Sequence, residues 1–248
     1  MSKPISRRGS LFGKLVSLVP RPMRYGMTRG MSRMLLPFWR HRLATGKWHV
    51  ERDEEFALGW ALQLLDRFDV RFDPWLRVEG HELLKDAVRG GRGTLLVGTH
   101  ALLTRLYMRA LANAGYEFQL VAIDATFRIP GTEDQISTIE RSRNVLLGVR
   151  SALRRGEIVC ALIDQRDSDV KRATTFRTKF GEFHMVDTLF AVATACGAAT
   201  LFVMSRLDHR GAVCLSVTAP ASGPNATAKE LLVDFADTLV EHIARSSS

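Results

Sequence analysis

Three polar residues follow apolar runs directly, in positions from which they could do chemistry. His100 follows TLLVGT, Asp124 follows FQLVAI, and Asp164 follows EIVCALI. A histidine in a cleft can act as a neutral base near pH 7, and a carboxylate can orient it. The alternative interpretation is structural, with the histidine as a cap or hydrogen-bonding group and the aspartates as cap or turn residues.

These apolar runs belong to an alternation of predicted strands and helices. Strands separated by helical segments of ten or more residues indicate an α/β fold, with a mixed, largely parallel sheet flanked by helices. Ligands of such sheets bind beyond the carboxyl ends of the strands, where the three polar residues fall. The predicted strands are 94–98, 118–123, 158–163, 199–204 and 212–217, and the predicted helices are 83–88, 102–114, 145–154, 186–196 and a closing helix in AKELLVDFADTLVEHIAR.

Several common catalytic patterns do not occur in the sequence. It contains no G-x-S-x-G, no H-E-x-x-H and no phosphate-binding loop, since the RGGRG at 89–93 precedes its strand instead of following it. Its three cysteines are far apart and lack the spacing of a metal site. We therefore expect reduced cysteines and neither a metal nor a nucleotide cofactor.

The positive charge is concentrated at the start of the chain. Eleven of the 35 basic residues and none of the 26 acidic ones precede Glu51, so the remainder is close to neutral. The segment holds two apolar stripes at helical spacing, Leu11, Phe12, Leu15, Leu18 and Val19, then Met27, Met31, Met34, Leu35 and Phe38. The stripes suit either the surface of an anionic membrane or packing against the domain. With no basic surplus elsewhere, we expect no nucleic-acid partner.

This charge boundary divides the chain into two predicted parts. Residues 1–72 are expected to form a basic amphipathic helical arm and a lead-in helix in EEFALGWALQLLDRF, and 73–248 the α/β domain. No run of eighteen apolar residues occurs, and MSKPISRRGS lacks the features of a secretory signal. We expect a chain that is neither secreted nor membrane-spanning.

From about residue 76 to 220 the chain resembles the lysophospholipid acyltransferase-like superfamily, in particular the bacterial lipid A biosynthesis lauroyl/myristoyl acyltransferases. Three segments carry the resemblance in the family's order: RVEGHELLKDAVRGGRGTLLVGTH, LLGVRSALRRGEIVCALIDQRD and FRTKFGEFHMVDTLFAVATACGAATLFV. It implies a glycerolipid acyltransferase-like fold and transfer of a fatty acyl group from acyl carrier protein or coenzyme A to a hydroxyl of a lipid or glycolipid. It also implies a peripheral location at the cytoplasmic face of a bacterial inner membrane.

The sequence departs from the family's catalytic motif at one position. That motif is H-x4-D or H-x4-E, and alignment on His100 puts Arg105 in place of the acid. A guanidinium offers only donors, so it cannot accept the imidazole N–H. We therefore expect His100 as general base, Asp124 or Asp164 as its orienting carboxylate, and Arg105 as a phosphate or carrier ligand or else a solvated helix residue.

The other residues expected to bind substrate are Arg128, Gln165, Arg177 and Lys179. Two alternatives to an active enzyme remain open at this point. The chain could be a lipid- or acyl-binding relative without catalysis, or a peripheral membrane interaction protein that works through its arm.

Overall fold

The computed structural model describes residues 18–43, 53–67, 74–99, 101, 103–122, 132, 134–140, 144–165, 173–178 and 181–246. The helices are α1 (Arg21–Leu43), α2 (Asp53–Arg67), α3 (His81–Arg89), α4 (Thr104–Asn113), α5 (Val145–Arg154), α6 (Thr188–Cys196) and α7 (Ala228–Ser246). The strands are β1 (Leu76–Glu79), β2 (Thr94–Gly98), β3 (Phe118–Ala122), β4 (Ile136–Glu140), β5 (Ile158–Leu162), β6 (Asp164–Gln165), β7 (Thr174–Thr178), β8 (Gly181–Met185), β9 (Ala199–Leu207) and β10 (Val213–Thr218).

The main sheet has seven strands in the order β1-β10-β9-β2-β5-β3-β4. Strands β9, β2, β5, β3 and β4 are parallel to one another, whereas β10 is antiparallel to β9 and carries β1 parallel to itself. The sheet is therefore mixed and mostly parallel, which confirms the predicted α/β class. A second sheet, β6-β8-β7, is inserted between β5 and α6.

Alternating side chains of the central strands face two separate cores. In β2, Leu96 joins the core formed with α1 to α4, while Leu95 and Val97 join the core formed with α5 to α7. In β9, Val203 faces the first core and Phe202 the second. This period of two places helices on both sides of the sheet and explains why the parallel strands are apolar on both faces.

The predicted elements agree closely with the observed ones, with two kinds of difference. The predicted spans of β2 and α5 match the structure at both ends, but β9 runs to Leu207 instead of ending at Met204. Strands β1 and β4 and the whole inserted sheet were not predicted. Their segments are short or rich in polar residues, so periodicity does not distinguish them from loops.

Part of the methionine stripe of the arm faces outward on α1, while Met27 packs against the first core. Tyr25, Thr28 and Ser32 are buried, and Tyr25 joins the first core together with leucines of α2. On the opposite side Met23 is 63% exposed and Met34 is 77% exposed. Helix α1 therefore packs on the domain through a face with few large apolar residues and leaves an apolar face outward.

The other predicted stripe, from Leu11 to Val19, lies mostly outside the described residues. Its last members, Leu18 and Val19, form a turn before α1 instead of a helix. Pro20 accounts for this difference, because proline disfavours a helical conformation in the residue before it. The predicted domain boundary at residue 73 stays a prediction.

Helix α1 is fixed to the turn between β9 and β10 by two hydrogen bonds. The Tyr25 hydroxyl donates to the Gly211 carbonyl oxygen at 3.0 Å, and Arg29 Nη1 donates to the Arg210 carbonyl oxygen at 2.9 Å. Gly211 has a φ of +81°, and a Cβ built there would lie 1.6 Å from the Arg29 guanidinium carbon. The close approach of α1 therefore depends on glycine at this position.

We predict that Gly211→Ala lowers the free energy of unfolding more than Gly223→Ala does. Gly223 has the same φ of +81° but no atom within 4 Å of a Cβ, so its variant reports the left-handed backbone alone, about 1 to 2 kcal/mol. Displacing Arg29 should cost at least about 1 kcal/mol more, through its lost hydrogen bond. Urea unfolding of both variants measures the difference, and equal losses would contradict the role given to Arg29.

Candidate functional site

The carboxyl ends of β2 and β5 lie side by side, and the chain continues from them to opposite faces of the sheet. Gly98 and Leu162 are register partners, and the Ile163 N–H donates to the Gly98 carbonyl oxygen at 3.2 Å. After β2 the chain enters α4 on one face, whereas after β5 it passes through the inserted sheet to α6 on the other face. Neighbouring parallel strands that diverge in this way open a crevice where α/β proteins bind ligands.

The three predicted catalytic residues follow three adjacent strands by the same interval. His100 comes two residues after Gly98, Asp164 two after Leu162, and Asp124 two after Ala122, with β5 between β2 and β3. His100 and Asp124 lie outside the described residues. Asp164 is described through its backbone, which pairs with Met185 of β8.

Of the predicted substrate-binding residues, the structure describes Arg105 and Gln165 through their backbones and Arg177 with its side chain. The backbone of Arg105 lies in the first turn of α4, and that of Gln165 pairs with His184 of β8. Arg128 and Lys179 lie outside the described residues. Arg177 is exposed on β7, and its Nε donates to Glu182 Oε1 at 2.8 Å.

Three buried hydroxyls beside this crevice escaped the sequence analysis. Thr99 directly precedes His100, Thr104 begins α4, and Ser205 lies on β9 past its pairing with β2. The hydroxyl oxygens of Thr104 and Ser205 are 3.5 Å apart. Thr99 and Thr104 flank the histidine motif and could have been found there, but Ser205 lies beyond the predicted end of its strand.

Strand β9 extends past the last residue of β2 that pairs with it, which frees backbone groups along its edge. The Leu207 N–H donates to Oε1 of the buried Glu55 at 2.8 Å, and His242 Nε2 donates to the Ser205 carbonyl oxygen at 3.1 Å. Buried backbone groups need such partners. Side chains from α2 and α7 thus complete one wall beside the crevice.

Burial lowers the pKa of His242, against the opposing effects of the Ser205 carbonyl and Glu55. Arg206 and Arg245 act in the same direction as burial. The neutral imidazole is therefore the form that the folded protein favours. A neutral imidazole has one ring N–H, and in His242 this N–H donates to the Ser205 carbonyl oxygen.

The inserted sheet holds a second histidine at this end of the protein. His184 of β8 contacts the Thr175 hydroxyl through Nδ1 at 3.1 Å, while its neighbours Phe183 and Met185 are buried in the second core. Alternation along β8 therefore puts its apolar side chains inward and His184 on the other face. No motif in the sequence marked this histidine.

The described part of the chain contains no candidate metal site. There, no group of three or more histidine, cysteine, aspartate or glutamate side chains is arranged to hold a metal ion.

No family model matches the sequence, and no curated protein matches it significantly. The function is therefore inferred from the residues and their positions.

We predict that His242 makes folding stability fall at mildly acidic pH. Its folded pKa lies below the unfolded value of about 6.5, so the unfolded chain binds the proton first as the pH drops. The free energy of unfolding should decline below about pH 6.5, and less steeply in His242→Gln. Urea unfolding across this range tests it, with His209→Gln in the exposed β9–β10 turn as control, and an unchanged slope in His242→Gln would count against the assignment.

Proposed function

We propose that the protein is an acyltransferase that moves a fatty acyl group from an acyl thioester to a hydroxyl of a lipid or glycolipid acceptor. The donor is acyl carrier protein or coenzyme A, and the fold is of the glycerolipid acyltransferase-like kind. One observation carries the proposal. Gly98 of β2 and Leu162 of β5 are register partners, and His100 and Asp164 follow them by two residues each. After these two strands the chain passes to opposite faces of the sheet.

In this mechanism His100 is the general base. Its neutral imidazole takes the proton from the acceptor hydroxyl as the oxygen attacks the thioester carbonyl carbon. The tetrahedral intermediate collapses with cleavage of the carbon–sulfur bond, and the imidazolium returns the proton to the leaving thiolate. The acceptor attacks directly, so no covalent acyl-enzyme forms.

Strand order favours Asp164 over Asp124 as the carboxylate that orients the base. Strand β5, which precedes Asp164, neighbours β2, whereas β3, which precedes Asp124, lies one strand further away. Neighbouring strands are about 4.8 Å apart, so the end of β3 lies about twice as far from the end of β2 as the end of β5 does. A carboxylate beside the imidazole stabilises the imidazolium that forms during proton transfer.

Arg105 is proposed to bind a phosphate of the acceptor or of the donor's prosthetic group. It lies in the first turn of α4, which has no acidic residue there and, in the described part of the chain, no side-chain cap. An anion is favoured at such a helix start by the helix dipole and by arginine's forked donors. Arg128, Gln165, Arg177 and Lys179 are proposed to bind the remaining polar parts of the substrates.

The outward face of α1 supports a peripheral location at an anionic membrane, which we propose to be the cytoplasmic face of a bacterial inner membrane. Met23 and Met34 are exposed on the side opposite the buried Tyr25, whereas Met27 packs partly against the first core. Arg24 and Arg33 lie beside this face, where Arg24 donates to the Val19 carbonyl oxygen at 2.8 Å and Arg33 is paired with Glu54 at 2.6 Å. An apolar helix face with basic residues beside it suits a lipid headgroup region. Among the described residues, no helix is both long enough and apolar enough to cross a membrane.

A second candidate function is lipid or acyl binding without catalysis. The presence of arginine at position 105, where the family has an acid, favours it. Such a relative would bind the acyl chain and the membrane and release no thiol from the donor. Kinetic measurements on single variants separate the two functions.

His100→Ala should lower thioester consumption that depends on an acceptor by about 10²- to 10⁴-fold, because the general base is lost. His209→Ala, at an exposed turn, is the matched control and should keep full activity. Release of free thiol measures the rate. A His100→Ala variant as active as the parent, or a parent with no acceptor-dependent rate, would eliminate the mechanism. Arg105→Ala should raise KM more than it lowers kcat.

Met34→Asp should weaken binding of the full chain to vesicles of anionic phospholipid without unfolding it, because Met34 is highly exposed and touches no core. Val233→Asp on α7 is the control, since it puts the same charge at another exposed apolar residue. Flotation of vesicles with bound protein measures the difference. Point variants are preferred to removal of the arm, because Tyr25 belongs to the first core. Equal binding by both variants would speak against this face.

A further inference from the structure

An arginine-lined depression lies on α5, outside the proposed active site. It is open and shallow, with a volume of about 330 Å³, and is lined by Leu147, Arg150, Ser151, Arg154 and Arg155. All five residues are exposed. Arg154 and Arg155 precede β5, whereas the crevice follows β5, so the depression lies towards the opposite end of the sheet.

One of the three arginines is held in place and two are available. Arg155 Nε donates to Glu157 Oε1 at 2.5 Å, and its Nη1 donates to the Ser151 hydroxyl at 2.7 Å. In the described part of the chain, the side chains of Arg150 and Arg154 make neither an ion pair nor a hydrogen bond. Two unneutralised guanidinium groups, one helical turn apart, therefore face solvent beside a fixed third.

The RGGRG turn at 89–93, which has no part in the proposed reaction, adds to the same surface. The Thr94 N–H, at the end of this turn, donates to the Glu157 carbonyl oxygen at 3.1 Å, so the turn lies beside the end of α5. Its Arg92 is exposed, and Arg89 is exposed and paired with Asp86 at 3.5 Å. Because the chain after Glu51 is close to neutral overall, this concentration of arginine is a local feature of the folded domain.

Leu147 indicates what kind of anion the surface fits. It is 63% exposed within the depression, one helical turn before Arg150 and Ser151. A free phosphate would bind the guanidinium groups but would make no favourable contact with the leucine side chain. An amphipathic helix with carboxylates around one apolar side chain matches both, since the apolar residue fills the hollow and the carboxylates meet the arginines.

We propose that this arginine patch, Leu147, Arg150, Arg154 and Arg155 with the 89–93 turn, docks an acidic amphipathic helix of a partner protein. The inference is independent of the proposed acyl transfer, because no residue of the patch belongs to the crevice. Attraction between exposed charges is screened by salt, so the interaction should weaken as ionic strength rises.

The test uses the full chain and a synthetic fluorescent helix with glutamates spaced i, i+4 and i+7 around one leucine. Reversing two charges, in Arg150→Glu with Arg154→Glu, should weaken binding about tenfold or more. Leu147→Asp should weaken it as well. Arg210→Glu is the matched control, because this exposed arginine lies in the β9–β10 turn at the other end of the sheet. Fluorescence anisotropy measures the affinities.

The basic arm also attracts anions, so the site of contact must be identified. A photo-crosslinking residue next to the peptide's leucine should label α5, as read by mass spectrometry of the digested protein. Labelling of the arm alone, or equal affinity for the reversed variant, would overturn the proposal. So would an unaffected Leu147→Asp variant, or anionic vesicles that compete through the same arginines, since both would assign the patch to a simple anion or a lipid surface.

Discussion

The central position of β2 is the constraint on which the rest of the structure depends. Both of its edges are paired, to β5 and to β9, and both of its faces are covered by cores. A strand enclosed in this way must be apolar along its length, as TLLVG is, and polar groups can follow only where it ends. Every residue of β2 is buried, so a polar catalytic group has no place within the strand, and the histidine motif follows it in the sequence.

The same constraint shapes the wall beside the crevice. Since β2 turns away after Gly98 while β9 continues to Leu207, the outer part of β9 has an unpaired edge. Glu55 and His242 satisfy backbone groups there, from helices on opposite faces of the sheet. These two side chains therefore stabilise the fold, and they also tie α2 and α7 to the outer part of β9.

The two ends of the sheet differ in chemistry. At the carboxyl end, β2, β3 and β5 are followed in the chain by the predicted base and carboxylates, and buried hydroxyls lie near the end of β2. The other end gathers exposed arginines around Leu147, which suit an acidic surface but no bond-breaking chemistry. Helix α1 adds a third kind of surface, because it is anchored through Tyr25 and Arg29 and exposes methionines on its other side.

The amino-acid sequence determined the local elements and the sheet class. Apolar periodicity located β2 and α5 at their observed bounds. At the start of α7, the Thr227 N–H donates to Glu230 Oε2 and the Glu230 N–H donates to the Thr227 hydroxyl oxygen, which caps the helix. It also placed His100, Asp124 and Asp164 after strands. These signals are local, since each depends on a window of a few residues.

Strand order and the wall of the crevice were decided by tertiary structure alone. The position of β5 between β2 and β3, which favours Asp164 over Asp124, joins segments that are far apart in the sequence. Glu55, Ser205 and His242 come together from distant parts of the chain. The exposure of Met34 and the partial burial of Met27 on the same helix depended on which face of α1 met the core. Such contacts join residues too far apart for any sequence period to reveal.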